Sequence, residues 1–200
     1  AERALEAGTT REDVFDLVRK IREDDEQTPI VFYTYYNLMF SGGLEAYIAE
    51  AKEAGVDGLL VLDLPPEEAG DHIEACEKLG MDTVFLLAPT TPEDRVEYIA
   101  RNATGFIYYV SRTGVTGVRD DLASDLQEMV EMIKRRSDRP LVVGFGIQNP
   151  DQVNAVARLA DGVVVGSAIV NTIKDNLDDE GKMLERVESL VTGLVGGTRR

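Results

Sequence analysis

Gly144-Phe145-Gly146-Ile147-Gln148-Asn149 closes an apolar run, Leu141 to Val143, and leads into Pro150-Asp151-Gln152-Val153, where a helical pattern starts. A dinucleotide-binding sheet would carry Gly-x-Gly-x-x-Gly after an early strand. This stretch lacks the third glycine and lies late in the chain. It suits instead a parallel α/β barrel, whose phosphate site is commonly built after its last two strands. Two more glycine-bearing strand ends agree with that. Ser111-Arg112-Thr113-Gly114-Val115-Thr116-Gly117 follows the run Gly105 to Val110, and Gly166-Ser167 follows Gly162 to Val165. Three such ends converging on one point would supply free backbone N–H groups, a way to hold a phosphate without a cationic side chain.

Outward from this stretch the chain alternates without a break. Thr10 to Asp25 places Val14, Leu17, Val18 and Ile21 on one helical face, with Thr9 or Thr10 as cap. Ile30 to Asn37 reads as a strand turning polar at its end, Leu44 to Ala54 as a helix stopped by Gly55, and Gly58 to Leu62 as a strand. A helix from Pro66 to Gly80, a strand Thr83–Leu87 and a helix capped at Thr91 follow, then the strand ending at Val110. Leu122, Leu126, Met129, Val130 and Ile133 mark the next helix, and Met183 to Leu194 a closing one. Six strands apolar on both faces, separated by helices, imply a parallel sheet covered by helices. An open doubly wound sheet would be complete with six strands, whereas a (βα)8 TIM barrel needs eight and typically about 250 residues. The late glycines favour the barrel, here as six βα units with the first two missing. No linker interrupts the series, so residues 1–200 read as a single truncated domain.

Composition narrows the function classes. With 44% hydrophobic residues the chain can bury a sizeable core. No run of roughly 18 apolar residues exists, which argues against a membrane span, and the charged stretch Ala1 to Asp13 does not read as a signal peptide. A cytoplasmic location is expected. The first residue is not Met and already lies in a helical pattern, which suggests a fragment. The net charge of −16, with six Lys and fifteen Arg against 37 Asp and Glu, speaks against nucleic acid. It also suggests a halophilic-like protein, because high salt shortens the Debye length and screens such self-repulsion. The one cysteine, Cys76, sits on the apolar stripe of a helix as a small buried thiol, and the one histidine, His72, reads as an exposed residue of that helix. Neither makes a metal site nor a triad.

Function in either architecture sits at the C-terminal ends of the strands. The residues from Ser111 to Asp121 exceed the usual two to six of such loops, and Gly114 and Gly117 give it pivots, as in a lid that closes over a ligand. Free N–H groups of Gly117, Gly146, Gly166 and Ser167, with a helix N-terminus behind them, would provide the local positive potential that an acidic chain otherwise denies an anionic substrate.

The serine–arginine loop Ser111 to Gly117, Gly144-Phe145-Gly146-Ile147 and Gly166-Ser167-Ala168-Ile169-Val170 together resemble the tryptophan synthase alpha chain family. Tyr35-x-Asn37, Asp63-x-Pro65 and Pro150-Asp151-Gln152-Val153 agree in order and spacing, so the resemblance covers essentially the whole chain. It implies a (βα)8 barrel lyase that cleaves indole-3-glycerol phosphate to indole and glyceraldehyde 3-phosphate. Indole would pass to a pyridoxal-phosphate beta subunit in an α2β2 assembly, this chain holding no cofactor itself. By resemblance Gly117, Gly146, Gly166 and Ser167 bind the substrate phosphate. Arg112, Gly114 and Thr116 belong to the lid, Tyr108 stands beside the substrate in support of catalysis with Thr116, and Tyr35, Leu60, Leu62 and Leu86 line the indole pocket. Asn37 and Pro65 face the beta subunit.

The departure concerns the family's two essential carboxylates, a Glu acid/base and an Asp that orients the indole nitrogen. By resemblance they precede Ala1, so the 200 residues are expected to be catalytically incompetent. Two other readings remain open from the residues. One is another phosphate-binding barrel, an isomerase or epimerase, for which strand-end Lys, His or carboxylates would be expected. The other is a phosphate-binding or partner-activating module without chemistry.

Overall fold

The computed structural model describes residues 2–111, 120–144 and 146–198, without the side chains of 120–124. The lid positions Arg112, Gly114, Thr116 and Gly117 lie outside the described residues. Two compact units emerge, residues 1–85 with 102–105 and residues 86–101 with 106–200. The strands follow chain order, every described pairing is parallel, and helices separate them as the apolar runs predict. Among the described residues no helix is long and apolar enough to cross a membrane.

In the first unit, α1 (Glu2–Glu6) and α2 (Arg11–Asp24) precede β1 (Val31–Thr34), α3 (Tyr36–Phe40), α4 (Leu44–Ala54) and β2 (Gly58–Val61). A 3-10 turn at Pro66–Glu68, α5 (Gly70–Leu79) and β3 (Asp82–Leu87) complete it, the last two residues of β3 belonging to the second unit. A capping box starts α2: Thr10 Oγ1 accepts from Asp13 N at 3.2 Å, and Asp13 Oδ2 accepts from Thr10 N at 2.8 Å. The inner face of α2 carries Phe15, fully buried between the rings of Phe32 and Tyr47 at 5.6 and 5.5 Å. Offset aromatic packing of this kind adds about 1 kcal/mol to the area it buries.

Two expectations change here. The strand expected over Ile30 to Asn37 ends at Thr34, because Asp63 Oδ1 accepts the Tyr36 N–H at 2.8 Å and starts a helix. Tyr35 is therefore the residue before α3, and Asn37 lies in its first turn. His72, expected on the surface, is 2% exposed and stacks one turn from the fully buried Cys76, whose Sγ lies 3.8 Å from both ring nitrogens.

Arg22 fastens the first unit at the foot of its strands. Its guanidinium donates to Gly55 O (2.9 Å), Asp25 O (2.9 Å) and Thr28 O (2.8 Å), and pairs with Asp57 Oδ2 at 2.7 Å. The end of α2, the lead into β1, the end of α4 and the start of β2 are thus held by one side chain. Gly55, at φ 104°, permits it, since a Cβ there would lie 2.7 Å from Arg22 Cγ.

The second unit holds α6 (Glu93–Asn102) apart from its last residue, β4 (Ile107–Val110), α7 (Asp120–Arg136), β5 (Leu141–Gly144), α8 (Pro150–Ala157), β6 (Gly162–Val164), α9 (Ser167–Lys174) and α10 (Glu180–Gly197). Tyr108 pairs in register with Val142, Val110 with Gly144, and Gly144 with Val164. Helix α9, like α3, has no periodic apolar signal long enough to announce it.

Two outcomes follow. Arg22→Met keeps the aliphatic stem and leaves four acceptors short of a donor; it should lower stability by about 2 kcal/mol, with Arg22→Lys recovering less than half because one ammonium cannot serve that fork. A urea midpoint unchanged in Arg22→Met would contradict the clamp. Burial pushes His72 down to about 4, below its ordinary value near 6.5. The unfolded chain therefore binds this proton first, so the stability from a neutral His72 is complete above about pH 6.5 and is lost as pH falls toward 4, by up to about 3 kcal/mol. Asp25, held at about 2 by the Thr28 side chain and the Thr28 and Gln27 N–H groups, titrates below that window. Denaturant midpoints between pH 7 and pH 4 should flatten in His72→Gln; an equal slope in both proteins would rule out His72 as the source.

Candidate functional site

The phosphate-site residues that are described lie at the ends of β5 and β6. Beyond β5 the chain turns through Gly146 at φ 73°, a left-handed conformation costly for any residue with a Cβ. Ile147 then anchors the loop in the core, and Asn149 caps α8 by accepting the Gln152 N–H at 3.0 Å. Pro150 fills the first helical position, where its missing N–H costs nothing. Beyond β6, Gly166 caps α9 with its carbonyl, which accepts from Val170 N at 3.1 Å. The N–H groups of Ser167, Ala168 and Ile169 precede that first helical bond and project off the helix end. Both Gly166 and Ser167 are exposed, and a Cβ on Gly166 would meet nothing within 4 Å. Gly146 and Gly166 each stand two residues past the paired positions Gly144 and Val164, so the turn and the helix end occupy neighbouring strand ends. Their charge is that of backbone amides and a helix dipole, about half a positive charge at the N-terminus. Lys174, the cation in the last turn of α9, sits at the opposite end.

Tyr108 joins this group through a contact that its sequence position does not reveal. A Cβ on Gly144 would lie 2.6 Å from Tyr108 Oη, 2.8 Å from its ring and 2.8 Å from Val164 Cβ. The tyrosine ring therefore occupies the space that a side chain on the neighbouring strand would fill. A side chain on Gly144 would collide with the Tyr108 ring on one neighbouring strand and with Val164 on the other, and the half-buried ring packs beside the end of β5. Ser111, also buried, donates its N–H to Gly144 O at 3.1 Å, which ties the residue after β4 to the end of β5.

In the first unit, Leu60 is buried in β2, Leu62 half-buried just past its end, and Tyr35 exposed before α3. Leu86 is half-buried near the end of β3. Asn37 is exposed, and Pro65 is half-buried ahead of the 3-10 turn. The Asp63–Tyr36 hydrogen bond ties the loop carrying Pro65 to the helix carrying Asn37. Next to Asn37, Leu38 and Phe40 are 54% and 67% exposed. Sequence reasoning missed both of these apolar residues and the task of Asp63. A carboxylate at a strand end could have been a base; this one caps a helix.

A sequence profile of the family described as tryptophan synthase alpha chain matches residues 1–198. The tryptophan synthase alpha chain of Opitutus terrae is 55% identical over 200 residues, spanning all of this chain and 75% of that relative. The alpha chain of Methanocaldococcus jannaschii is 42% identical over 181 residues, 90% of this chain and 64% of its own. Among solved structures, the fold matches a chain of the tryptophan synthase α2β2 complex of Pyrococcus furiosus with a TM-score of 0.87 at 37% identity, covering 98% of this chain and 77% of that one. Tryptophan synthase subunit alpha of Legionella pneumophila matches with a TM-score of 0.88 at 34% identity, covering 98% and 72%. The six parallel strands and their helices are thus those of the alpha chain's TIM barrel, and the chain belongs to the tryptophan synthase alpha chain family.

Proposed function

We propose that this chain holds indole-3-glycerol phosphate for the lyase step of tryptophan synthesis, and that the 200 residues alone bind it without cleaving it. The observation that carries the binding half is the pair of backbone anion seats at neighbouring strand ends, the Gly146 turn and the open N-terminus of α9, in a chain of net charge −16. Gly146, Gly166 and Ser167 take the phosphate, and by resemblance Gly117 joins them. Tyr108, on the strand beside Gly144, flanks the glycerol.

Cleavage breaks the bond between the indole C3 and the glycerol carbon that bears a hydroxyl. The ring carbon must gain a proton, and the hydroxyl must lose one as it becomes the aldehyde; both transfers need positioned acids and bases. Among the described strand ends the carboxylate is Asp63, and its Oδ1 already accepts the Tyr36 N–H. The family's Glu and Asp have no counterpart in residues 1–200 by resemblance. The chain needs no cofactor for this step. Pyridoxal phosphate belongs to the beta subunit, with which the Pyrococcus furiosus relative assembles as α2β2. The exposed Leu38 and Phe40 beside Asn37, with Pro65 tied to them through Asp63, offer an apolar patch for that partner.

The 200-residue chain incubated with indole-3-glycerol phosphate should release no indole above the uncatalysed rate, with or without a beta chain. A fusion that supplies the remaining quarter of the Opitutus terrae relative should release it at an enzymic rate. Indole formation by the 200 residues alone would refute the account of the missing acid and base.

A further inference from the structure

We propose that Gln152 is a positioning residue for the phosphate seat, acting through the loop that carries Gly146. This rests on the phosphate reading above and extends it to a residue that touches no substrate. Gln152 is buried in the first turn of α8, and its Oε1 accepts the Gln148 N–H at 2.7 Å. The arrangement resembles a capping box and differs from one in a telling way. At α2 the third helical residue, Asp13, returns to the N–H of the cap residue Thr10 itself. At α8 the third residue, Gln152, passes over the cap Asn149 and takes the N–H of the residue before it. The helix start is already served, because Asn149 Oδ1 accepts Gln152 N. The Gln152 amide therefore restrains the loop as well as the helix.

What it restrains is short. Between Gly146 and Gln148 lies only Ile147, whose side chain is buried at 3% exposure. With the Ile147 side chain and the Gln148 N–H both fixed, the peptide that follows the left-handed Gly146 has little freedom left. The base of this device is rigid as well. Helix α10 comes so close to the start of α8 that a Cβ on Gly197 would lie 2.5 Å from Pro150 O, and Asn154 Nδ2 donates to Gly197 O at 3.1 Å. A chain of contacts thus runs from α10 through Pro150 and Gln152 to Gln148 and the turn at Gly146. A backbone seat has no flexible cationic side chain to follow a displaced phosphate, so its affinity depends on amides held within about 0.5 Å of the right place.

The test uses glycerol 3-phosphate as the probe, by calorimetry on the 200-residue chain, with a thermal melt on each variant. Gln152→Met removes the acceptor at nearly constant volume, and Gln152→Asn withdraws it by one methylene. Each should weaken binding by about tenfold or more while melting remains cooperative. Asn149→Ala is the control, since it removes the helix cap and leaves the Gln148 bond in place; it should melt lower and bind as the unaltered chain does. Binding unchanged in both Gln152 variants overturns the inference, as does a loss in Asn149→Ala equal to theirs, which would make Gln152 a helix cap and no more. If the unaltered chain fails to bind glycerol 3-phosphate, the phosphate reading falls and this inference falls with it.

Discussion

An aspartate at the foot of a strand, bound to the start of the strand before it and to a cation from the helix before that, closes each unit. In the first unit Asp57 Oδ2 accepts the Ile30 N–H at 2.8 Å and pairs with Arg22. In the second, Asp161 Oδ2 accepts the Leu141 N–H at 2.9 Å while its Oδ1 meets Lys134 Nζ at 3.0 Å. A glycine follows each aspartate in a crowded place: a Cβ on Gly58 would lie a tight 3.2 Å from Asp82 O, and one on Gly162 would lie 2.7 Å from Val142 Cγ1. A parallel pair can slip in register unless something fixes its ends. These latches fix it at the N-terminal ends, where barrel residues serve stability.

That arrangement leaves the opposite ends of the strands free for chemistry that stability would not choose. Gly144 gives up its side chain to Tyr108, Gly146 takes a left-handed turn, and Gly166 exposes a helix end. Each choice weakens the local backbone, and each places a polar group where an anion can use it. In a chain of net charge −16 the field of the whole protein repels a phosphate. Backbone amides act over a short range, so the proposed seat can favour an anion inside an unfavourable surround without adding a cation.

The six strands were legible because their runs are apolar on both faces, and the choice of barrel over open sheet rested on glycines late in the chain. Helix α3 was not legible, because Tyr35-Tyr36-Asn37 reads as the end of an aromatic strand and the group that turns it into a helix, Asp63, lies 27 residues away. His72 was misplaced because its polarity argued for the surface, whereas its spacing from Cys76 puts both on one buried face. Nothing in the sequence says why residue 144 is a glycine; the Tyr108 ring and Val164 on the two flanking strands crowd that position, which only the register discloses. The Gln152 amide was invisible for a similar cause, since nothing in Pro-Asp-Gln-Val says where the glutamine side chain turns back.

The central claim is that a phosphate is held here by backbone amides. A titration of the isotope-labelled chain with glycerol 3-phosphate, followed through its amide resonances, tests it directly. The account predicts that Gly146, Ser167 and Ala168 shift most and saturate together. The second unit also carries a groove lined by Lys134, Arg135 and Arg158 together with Glu131. Largest shifts at that groove, with Gly146 and Ser167 unmoved, would contradict the account.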